Sequence, residues 1–340
     1  MALGGMAPLT LESTRSGFVE SVHRVSVAVT DGEGRLVASS GEPGLITFWR
    51  SAAKPLQALP LVADGAAERF GFGARELALA CASHSSEPVH REVAEGMLRA
   101  CGCEESHLAC GPHPPLSARV AEEALRGGVA LTAKWSNCSG KHAAMLALAR
   151  HHGWPTQGYE RLGHPVQERL LEEVCRWAGV ARGELRLGVD GCTAVCFGLP
   201  LSAMATAYAR LGTSPAPAVG RLREAMWAHP ELVAGTGRLC TELMTVCRGA
   251  VLAKVGAEGV YSAAIPWLGL GLTLKVESGD MRCAPPALLA VLGQVLARRG
   301  AGAQVALPAE ALAHHAEPVL RNTRGEPTGS LRATGELRFH

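Results

Sequence analysis

Apolar and polar residues alternate near the start of the chain in a way that predicts a β-hairpin. Valines recur between residues 19 and 30 with polar residues between them, residues 31–34 (Asp-Gly-Glu-Gly) have the composition of a tight turn, and 35–39 return as the second strand. A helix is expected from Ser51, kinked at Pro60. Apolar residues at helical spacing predict further helices over 75–82, 88–101, 116–127, 141–152, 165–178, 197–211 and 286–299.

Shorter apolar runs bounded by turn residues predict further strands. Leu185–Val189 is predicted to be a short buried strand, and the others are expected at 250–255, 259–264, 269–276 and near 330–339. Strands at both termini with helices between them predict an α/β fold of the α+β type, in which the first and last strands meet in one antiparallel sheet. We expect a single domain, with 1–84 and 241–340 in the sheet-containing part and 85–240 in a mostly helical, inserted part.

Composition narrows the classes of partner. The 340 residues, 47% of them hydrophobic and 19% charged, are enough to bury a large core. The net charge is only +2 and no stripe of Lys and Arg is present, which argues against nucleic acid and acidic membranes as partners. Residues 1–17 have no export signal and no apolar run reaches about 18 residues, so we expect a cytoplasmic protein. The eleven scattered cysteines predict reduced thiols or metal ligands.

The segment Phe48–Gln57 carries the strongest chemical signal, a Ser51-x-x-Lys54 pair. Residues three apart on a helix share a face, so the amine can take the serine proton if burial or a nearby cation such as Arg50 lowers its pKa. Pro55 is compatible with the first helical turn. This is the nucleophile motif of serine β-lactamases and penicillin-binding proteins. The alternative is a capping serine followed by a solvated lysine.

A second cluster combines thiols and nitrogen donors. Cys138 and Lys141 are one helical turn apart, and Cys192 follows a predicted strand, so that the three could converge into a zinc-like set. A lysine ligand must be neutral, which requires a strongly lowered pKa. The alternative is that the cysteines are buried as small hydrophobic residues. Three nearby histidines could supply the nitrogen ligand in place of Lys141. They are His142, His151 and His152.

Two further segments carry weaker signals. Residues 81–88 place several hydroxyl groups just before a helix, and the simple interpretation is that Ser85 or Ser86 caps it, with Glu87 favouring the helix start. Lys254 lies at the end of a predicted strand, where it could point inward, although strand lysines usually reach solvent.

Taken together, these segments resemble the bacterial L-asparaginase II family of the rhizobial type. The resemblance covers nearly the whole chain in order, which is more specific than any one motif. Departures from the family pattern occur at Ser86, where glycine is usual, at Val195-Cys196 and at Leu162-Gly163, and they bear on turn geometry and substrate affinity. The matching segments are Glu20–Arg24, Arg50–Pro55, Cys81–His84, Ser136–His142, His164–Gln167, Val189–Cys192, Gly235–Met244 and Lys254–Val260.

The resemblance implies a fold of the serine β-lactamase and glutaminase type. It implies Ser51 as nucleophile with Lys54 as its base, a second pair, Ser83 and Lys254, in the same pocket, and a homodimer. One zinc ion (Zn2+) is implied, with water as its fourth ligand. Its implied protein ligands are Cys138, Lys141 and Cys192. The residues implied to contact the substrate are Arg50, Asp190, His142 and Cys240, the last from a loop.

These expectations combine into a hypothesis of L-asparagine hydrolysis through a serine acyl-enzyme. Zinc is expected to position the substrate, because a serine nucleophile makes metal-bound hydroxide unnecessary. A pocket that binds both ends of asparagine should disfavour glutamine. A glutaminase or related amidohydrolase is the nearest alternative. A β-lactam or peptide hydrolase is disfavoured because no Lys-Thr-Gly motif is found. A non-catalytic, zinc-dependent amino-acid-binding protein would not need two Ser-Lys pairs.

Overall fold

The structure, a computed structural model, describes residues 7–299 and 307–340. Residues 1–6, the start of the segment considered for an export signal, lie outside the described residues. The strands are β1 (Thr10–Arg15), β2 (Phe18–Asp31), β3 (Leu36–Ser40), β4 (Ile46–Phe48), β5 (Arg186–Val189), β6 (Val195–Pro200), β7 (Leu252–Val255), β8 (Val260–Ile265), β9 (Leu270–Val276), β10 (Val319–Arg321), β11 (Pro327–Thr334) and β12 (Arg338–Phe339). The α-helices are α1 (Lys54–Gln57), α2 (Leu59–Ala63), α3 (Ala66–Arg69), α4 (Ala74–Ala80), α5 (Pro88–Ala100), α6 (Ala118–Arg126), α7 (Ser139–His152), α8 (Pro165–Ala178), α9 (Leu201–Thr213), α10 (Pro217–Ala228), α11 (Pro230–Val233), α12 (Leu239–Val246), α13 (Ala284–Arg299) and α14 (Ala309–Ala316).

The chain divides into two compact units. Unit 1 consists of Met1–Ala52, Leu199–Thr213 and Val246–His340, and unit 2 of Ala53–Gly198 and Ser214–Thr245. These boundaries differ from the sequence-based division, because helices α1 to α4 belong to unit 2. The reason is their packing, since α1 contacts α8, α2 contacts α7, and α4 contacts α7 and α10. That the whole chain is a single domain stays a prediction.

Unit 1 is built on a nine-stranded sheet with the order β10-β11-β1-β2-β9-β8-β7, in which β3 also pairs with β2 and β12 pairs with β3. The paired strands run antiparallel. The first strand pairs with a strand near the C-terminus, and Thr10 lies opposite Thr334. The predicted fold class, an antiparallel sheet in which strands from the two termini meet, is therefore confirmed.

Two helices cover the central strands of this sheet. Both α9 and α13 pack against β8 and β9, and β9 is buried along almost its whole length. Because consecutive side chains of a strand point to opposite faces, this continuous burial means that both faces of β9 are covered. Gly271 permits the close approach of α9, since a Cβ there would lie 2.1 Å from the Ala205 carbonyl oxygen.

Unit 2 is mostly helical and is organised around α7. Every residue of α7 from Ser139 to Ala149 is buried, because α2, α3, α4, α5 and α8 all pack against this helix. The contact with α4 depends on Gly140, where a Cβ would lie 2.4 Å from the Leu79 carbonyl oxygen. The start of α7, which carries several predicted site residues, is thus held tightly against the end of α4.

Most predicted elements are present within one to three residues of the expected bounds, and the remaining differences have physical causes. The predicted helix 197–211 is wrong at its start, because residues 195–200 form β6 and pair with β5. Strand β5 is half-exposed rather than buried, with Val189 80% exposed. The expected last strand is two strands, β11 and β12. The helix after Ser51 breaks at Ala58, just before Pro60. The sequence patterns did not predict β1, β4, β10, α10, α11, α12 or α14.

No helix within residues 7–299 and 307–340 combines the length and the apolar character that crossing a membrane requires.

Candidate active site

Ser51 lies just after a strained position of the backbone. It is half-buried in the 3₁₀ helix Arg50–Ala53, which continues directly into α1. Arg50 has φ = 54°, a left-handed conformation that residues other than glycine rarely adopt. The preceding Trp49 is fully buried, and its Nε1 donates a hydrogen bond to Ser262 Oγ at 3.0 Å. Strain of this kind persists only where the surroundings enforce it, and it is frequent at functional sites.

Lys54 is the centre of a buried hydrogen-bond network in unit 2. The side chain is 1% exposed, and its Nζ donates to the Ala82 carbonyl oxygen at 2.5 Å, to Ser83 Oγ at 3.1 Å and to Cys138 Sγ at 3.1 Å. The lysine of the Ser51-x-x-Lys54 motif is therefore hydrogen-bonded to the serine of the second predicted pair.

Ser83 follows the C-terminal end of α4 and is held by its backbone as well as by Lys54. Its N–H donates to the Val233 carbonyl oxygen at 3.0 Å. Arg238 Nη1 donates to the Ser83 carbonyl oxygen at 3.4 Å and to Ser85 Oγ at 3.3 Å. Arg238 was not among the predicted site residues. The available signal was its position inside the matching segment Gly235–Met244.

His84 connects the Ser83 segment to the start of α7. Its Nδ1 accepts a hydrogen bond from the Ser86 N–H at 3.1 Å, so that Nε2 carries the proton and donates to Ser139 Oγ at 2.9 Å. The ring stacks on His90, with centroids 4.9 Å apart. Burial, followed by the charges of His90 and Lys54, lowers the pKa of His84 well below its ordinary value. The neutral form therefore holds at neutral pH.

The hydroxyl groups before α5 do not cap that helix. The N-cap residue of α5 is Glu87, and Ser86 Oγ instead donates to the Trp135 carbonyl oxygen at 2.6 Å. The interpretation of Ser85 or Ser86 as a cap is therefore wrong. Ser86 has φ = 59°. A left-handed position favours glycine, so the serine here adopts a conformation that glycine would take at lower cost.

Two thiols and an amine converge beside the start of α7. Lys141 Nζ donates a hydrogen bond to Cys192 Sγ at 2.9 Å, and Cys138 Sγ donates one to Asn137 Oδ1 at 3.1 Å. The neighbouring Cys138 thiol and the charge of Lys141 lower the pKa of Cys192 although burial opposes this, whereas the neighbouring Cys192 and burial raise the pKa of Cys138. Burial alone would lower the pKa of Lys141, but the charges of Cys192, Cys138 and Asp190 outweigh it and raise that pKa. These pKa shifts favour a thiolate at Cys192, a thiol at Cys138 and an ammonium group at Lys141.

His142 adds a buried nitrogen to this cluster. Its Nδ1 is 2.7 Å from the Tyr159 hydroxyl oxygen, which in turn accepts a hydrogen bond from the Ala109 N–H at 3.0 Å. Its Nε2 has no hydrogen-bond partner among the described residues. Burial lowers the pKa of His142, and the neighbouring Cys192 opposes this shift. A buried ring nitrogen without a partner is uncommon in folded proteins.

The donor set around Cys192 fits a zinc ion. Two sulfur atoms, an amine and the unpartnered His142 Nε2 are the soft and borderline donors that Zn²⁺ prefers. Binding would require Lys141 and Cys138 to lose their protons. Zinc itself stays a prediction.

The remaining predicted site residues take different positions. Asp190 is half-buried in the loop between β5 and β6, where its Oδ1 accepts a hydrogen bond from the next N–H along the chain. Lys254 is fully buried in β7, and its Nζ donates to the Val255 carbonyl oxygen at 2.8 Å, so that it points inward. Cys240 was expected on a loop, and this is wrong, because it is the second residue of α12. It is 1% exposed.

Direct side-chain hydrogen bonds join five predicted site residues of unit 2 into two groups. Lys54 bonds to Ser83 and to Cys138, and Lys141 bonds to Cys192. Arg50, Ser51 and Lys254 belong to unit 1. A buried amine beside a serine hydroxyl can exchange protons with it, which is the chemistry of acyl transfer by a serine nucleophile.

Comparisons with known proteins place the chain in context. The family model described as L-asparaginase II matches residues 11–333. A search of the curated proteins found no match. The crystal structure of Mglu in its native form is 16% identical in sequence, with 84% of this chain and 65% of Mglu covered and a TM-score of 0.43. This chain therefore spans just under two thirds of the length of Mglu.

Two further solved structures are similar at a comparable level. A β-lactamase from Mycobacterium bovis is 13% identical, with 81% of this chain and 94% of that chain covered and a TM-score of 0.36. Simvastatin synthase (LovD) from Aspergillus terreus is 13% identical, with 76% and 90% covered and a TM-score of 0.36. Because these TM-scores are low, the fold description rests on the strands and helices of this chain alone.

Proposed function

This chain belongs to the L-asparaginase II family, and from that premise we propose that it hydrolyses L-asparagine to L-aspartate and ammonia through a serine acyl-enzyme. The family supports an amidohydrolase of the asparaginase type. The observation that carries the proposed serine mechanism is the buried Lys54 amine. Lys54 lies three residues after Ser51 in the sequence, and its Nζ donates a hydrogen bond to Ser83 Oγ.

Ser51 is the proposed nucleophile and Ser83 the proposed proton relay. Ser51 is half-buried, whereas Ser83 is only 3% exposed and already bonded to Lys54. A nucleophile must reach the substrate carbon, and a relay need only hold and pass a proton. The left-handed φ of Arg50 directly before Ser51 supports this choice, because nucleophilic serines of other hydrolases also sit on strained turns.

The proposed reaction has two halves. Neutral Lys54 accepts the Ser51 proton, and the serine oxygen attacks the side-chain amide carbon of asparagine. The C–N bond then breaks, the departing nitrogen takes from Lys54 the proton that came from Ser51, and ammonia leaves a β-aspartyl ester on the serine. Water attacks this ester while Lys54, with Ser83, again moves the proton, which releases aspartate and restores the serine. Backbone N–H groups at the start of the helix are the proposed donors to the oxyanion.

The charged ends of the substrate call for groups of opposite charge. Arg50 is proposed to bind the α-carboxylate and Asp190 the α-ammonium group, while His142 and Cys240 are proposed to line the binding site. Such pairing fixes the length of the substrate, which is why asparagine should be preferred to glutamine.

Cys138, Lys141 and Cys192 are the residues that would hold a zinc ion, with His142 as a further nitrogen donor. When bound, the ion would supply positive charge that orients a polar group of the substrate. The proposed proton transfers do not involve the ion. They are carried out by Lys54, Ser51 and Ser83.

The test is release of ammonia from asparagine and from glutamine by the purified chain. We expect asparagine to be the better substrate and Ser51→Ala to lower kcat by several orders of magnitude. Ser214→Ala is the matched control, because this serine is half-buried like Ser51 and its hydroxyl oxygen accepts a hydrogen bond from the Ala216 N–H. Faster ammonia release from glutamine would support the glutaminase alternative instead. Activity of Ser51→Ala within about tenfold of the parent, a difference of only ~1.4 kcal/mol, would remove Ser51 as nucleophile.

A further inference from the structure

Three metal-ligating side chains converge in unit 1, on segments to which the proposed reaction gives no role. They are His23 of β2, Asp280 of the turn after β9, and Cys283 directly before α13. One ligand atom of each, an imidazole nitrogen, a carboxylate oxygen and the Cys283 sulfur, lies within 4.8 Å of the other two. His23 belongs to a segment singled out in the sequence, Glu20–Arg24.

The His23 ring is oriented as a ligand would be. Its Nδ1 is hydrogen-bonded to Ser278 Oγ at 2.9 Å, which fixes the ring orientation. Its Nε2 is buried and has no hydrogen-bond partner among the described residues. Metal-binding histidines usually engage their second ring nitrogen in such a bond while the first faces the ion. The orphan nitrogen is therefore explained if a cation binds there.

The turn after β9 brings the other two donors to the same place. The Cys283 N–H donates to the Asp280 carbonyl oxygen at 3.2 Å, which closes one turn between the two residues. Cys283 is fully buried. The Asp280 carboxylate is paired with Arg282, whose Nη2 lies 2.6 Å from Oδ2, and it also accepts the Arg282 N–H at 2.9 Å. The Arg282 side chain is 70% exposed, so it can move away when a cation arrives.

We propose that His23, Asp280 and Cys283 form a second metal site, one that binds a zinc-like divalent cation. One nitrogen, one oxygen and one sulfur donor suit Zn²⁺ or Co²⁺, whereas Mg²⁺ and Ca²⁺ prefer oxygen donors alone. Three protein ligands leave a fourth position for water. The bound ion ties β2, the turn after β9 and the start of α13 together, so its effect is on the stability of unit 1. The site does not depend on the proposed hydrolysis.

The test uses Co²⁺, whose bond to a thiolate gives a charge-transfer absorption. The full chain carrying Cys138→Ser and Cys192→Ser removes the other sulfur donors proposed for zinc. We expect this variant to bind one Co²⁺ per chain with a thiolate absorption band. Adding Cys283→Ser should abolish the band. Adding Cys247→Ser, the matched control, should leave it unchanged, because Cys247 is also buried but belongs to no such cluster within residues 7–299 and 307–340.

Elemental analysis and Tm measurements test the site independently if the serine variants fold poorly. In the parent chain, elemental analysis should show that His23→Gln and Asp280→Asn each remove one equivalent of zinc. Zinc should raise the Tm of the parent more than that of His23→Gln, because a ligand that binds only the folded state stabilises it. Absence of thiolate-bound Co²⁺ in the double variant, or a metal content that His23→Gln and Asp280→Asn leave unchanged, would overturn the site.

Discussion

Replacing Lys54 with methionine removes the amine at the centre of the buried hydrogen-bond network in unit 2. It keeps a side chain of similar length. In the parent, Nζ donates to the Ala82 carbonyl oxygen, Ser83 Oγ and Cys138 Sγ, and the side chain is 1% exposed. Methionine fills the same buried space and cannot accept the serine proton or donate to these three acceptors.

The expected loss of activity is larger than the expected loss of stability. Removal of a general base typically lowers the rate about 10²- to 10⁴-fold. This range corresponds to about 2.7–5.4 kcal/mol in the activation free energy. Leaving a buried acceptor without its donor costs about 1–3 kcal/mol of folding free energy. Because the variant no longer buries a polar amine, part of that cost is offset. We therefore expect a folded protein with at least a hundredfold lower kcat.

The assay measures ammonia release from asparagine and urea unfolding on the same preparations. Lys134→Met is the control, because this lysine is half-buried and forms an ion pair with Glu95 at 2.6 Å, away from the Lys54 network. The control should keep parental kcat. A folded Lys54→Met variant whose kcat stays within tenfold of the parent would refute the assignment of Lys54 as the base.

Three further predictions concern the metal, the packing and the pH dependence. Replacing Cys138 or Cys192 with serine should lower the zinc content by one equivalent, and elemental analysis that finds no change would dismiss that site. Gly140→Ala should lower the free energy of unfolding by about 1–3 kcal/mol, because the new Cβ would lie 2.4 Å from the Leu79 carbonyl oxygen. This steric cost exceeds the gain from the better helix propensity of alanine. A variant as stable as the parent in urea would contradict the prediction. Because burial holds the pKa of His84 well below 6.5, the unfolded chain gains a proton below that pH which the folded chain does not. The free energy of unfolding should therefore fall as the pH drops from about 6.5 to 5, by up to ~1.4 kcal/mol per pH unit for this residue, and urea melts showing no such fall would exclude the effect.

Regular apolar spacing with clear end signals made some elements predictable to the residue. Helix α8 was predicted over 165–178 and has those bounds, because His164 caps its start, Pro165 is the first helical residue and Gly179 takes the left-handed conformation at its end. Residues 195–200 could not be assigned in this way. A short apolar run is compatible with either a strand or a helix, and only pairing with β5 makes this one a strand.

Site residues that lie close together in the sequence could be predicted to share one face of a helix. Cys138 and Lys141 are one turn apart, and the structure brings Cys192 to both. The bond between Lys54 and Ser83 could not be foreseen, because it depends on where the end of α4 lies against α1 and α7. The contacts of Arg238 are likewise tertiary, since a guanidinium that reaches the Ser83 carbonyl oxygen leaves no periodic signal in the sequence.

The covalent intermediate tests the central claim most directly. The parent chain is mixed with asparagine, quenched in acid during turnover, digested and examined by mass spectrometry, with hydroxylamine added in a parallel reaction to capture the acyl group. We predict a β-aspartyl ester on the peptide that contains Ser51, formation of aspartyl hydroxamate, and loss of both in Ser51→Ala. An ester mapped to Ser83, or full turnover of asparagine with neither ester nor hydroxamate, would contradict the account.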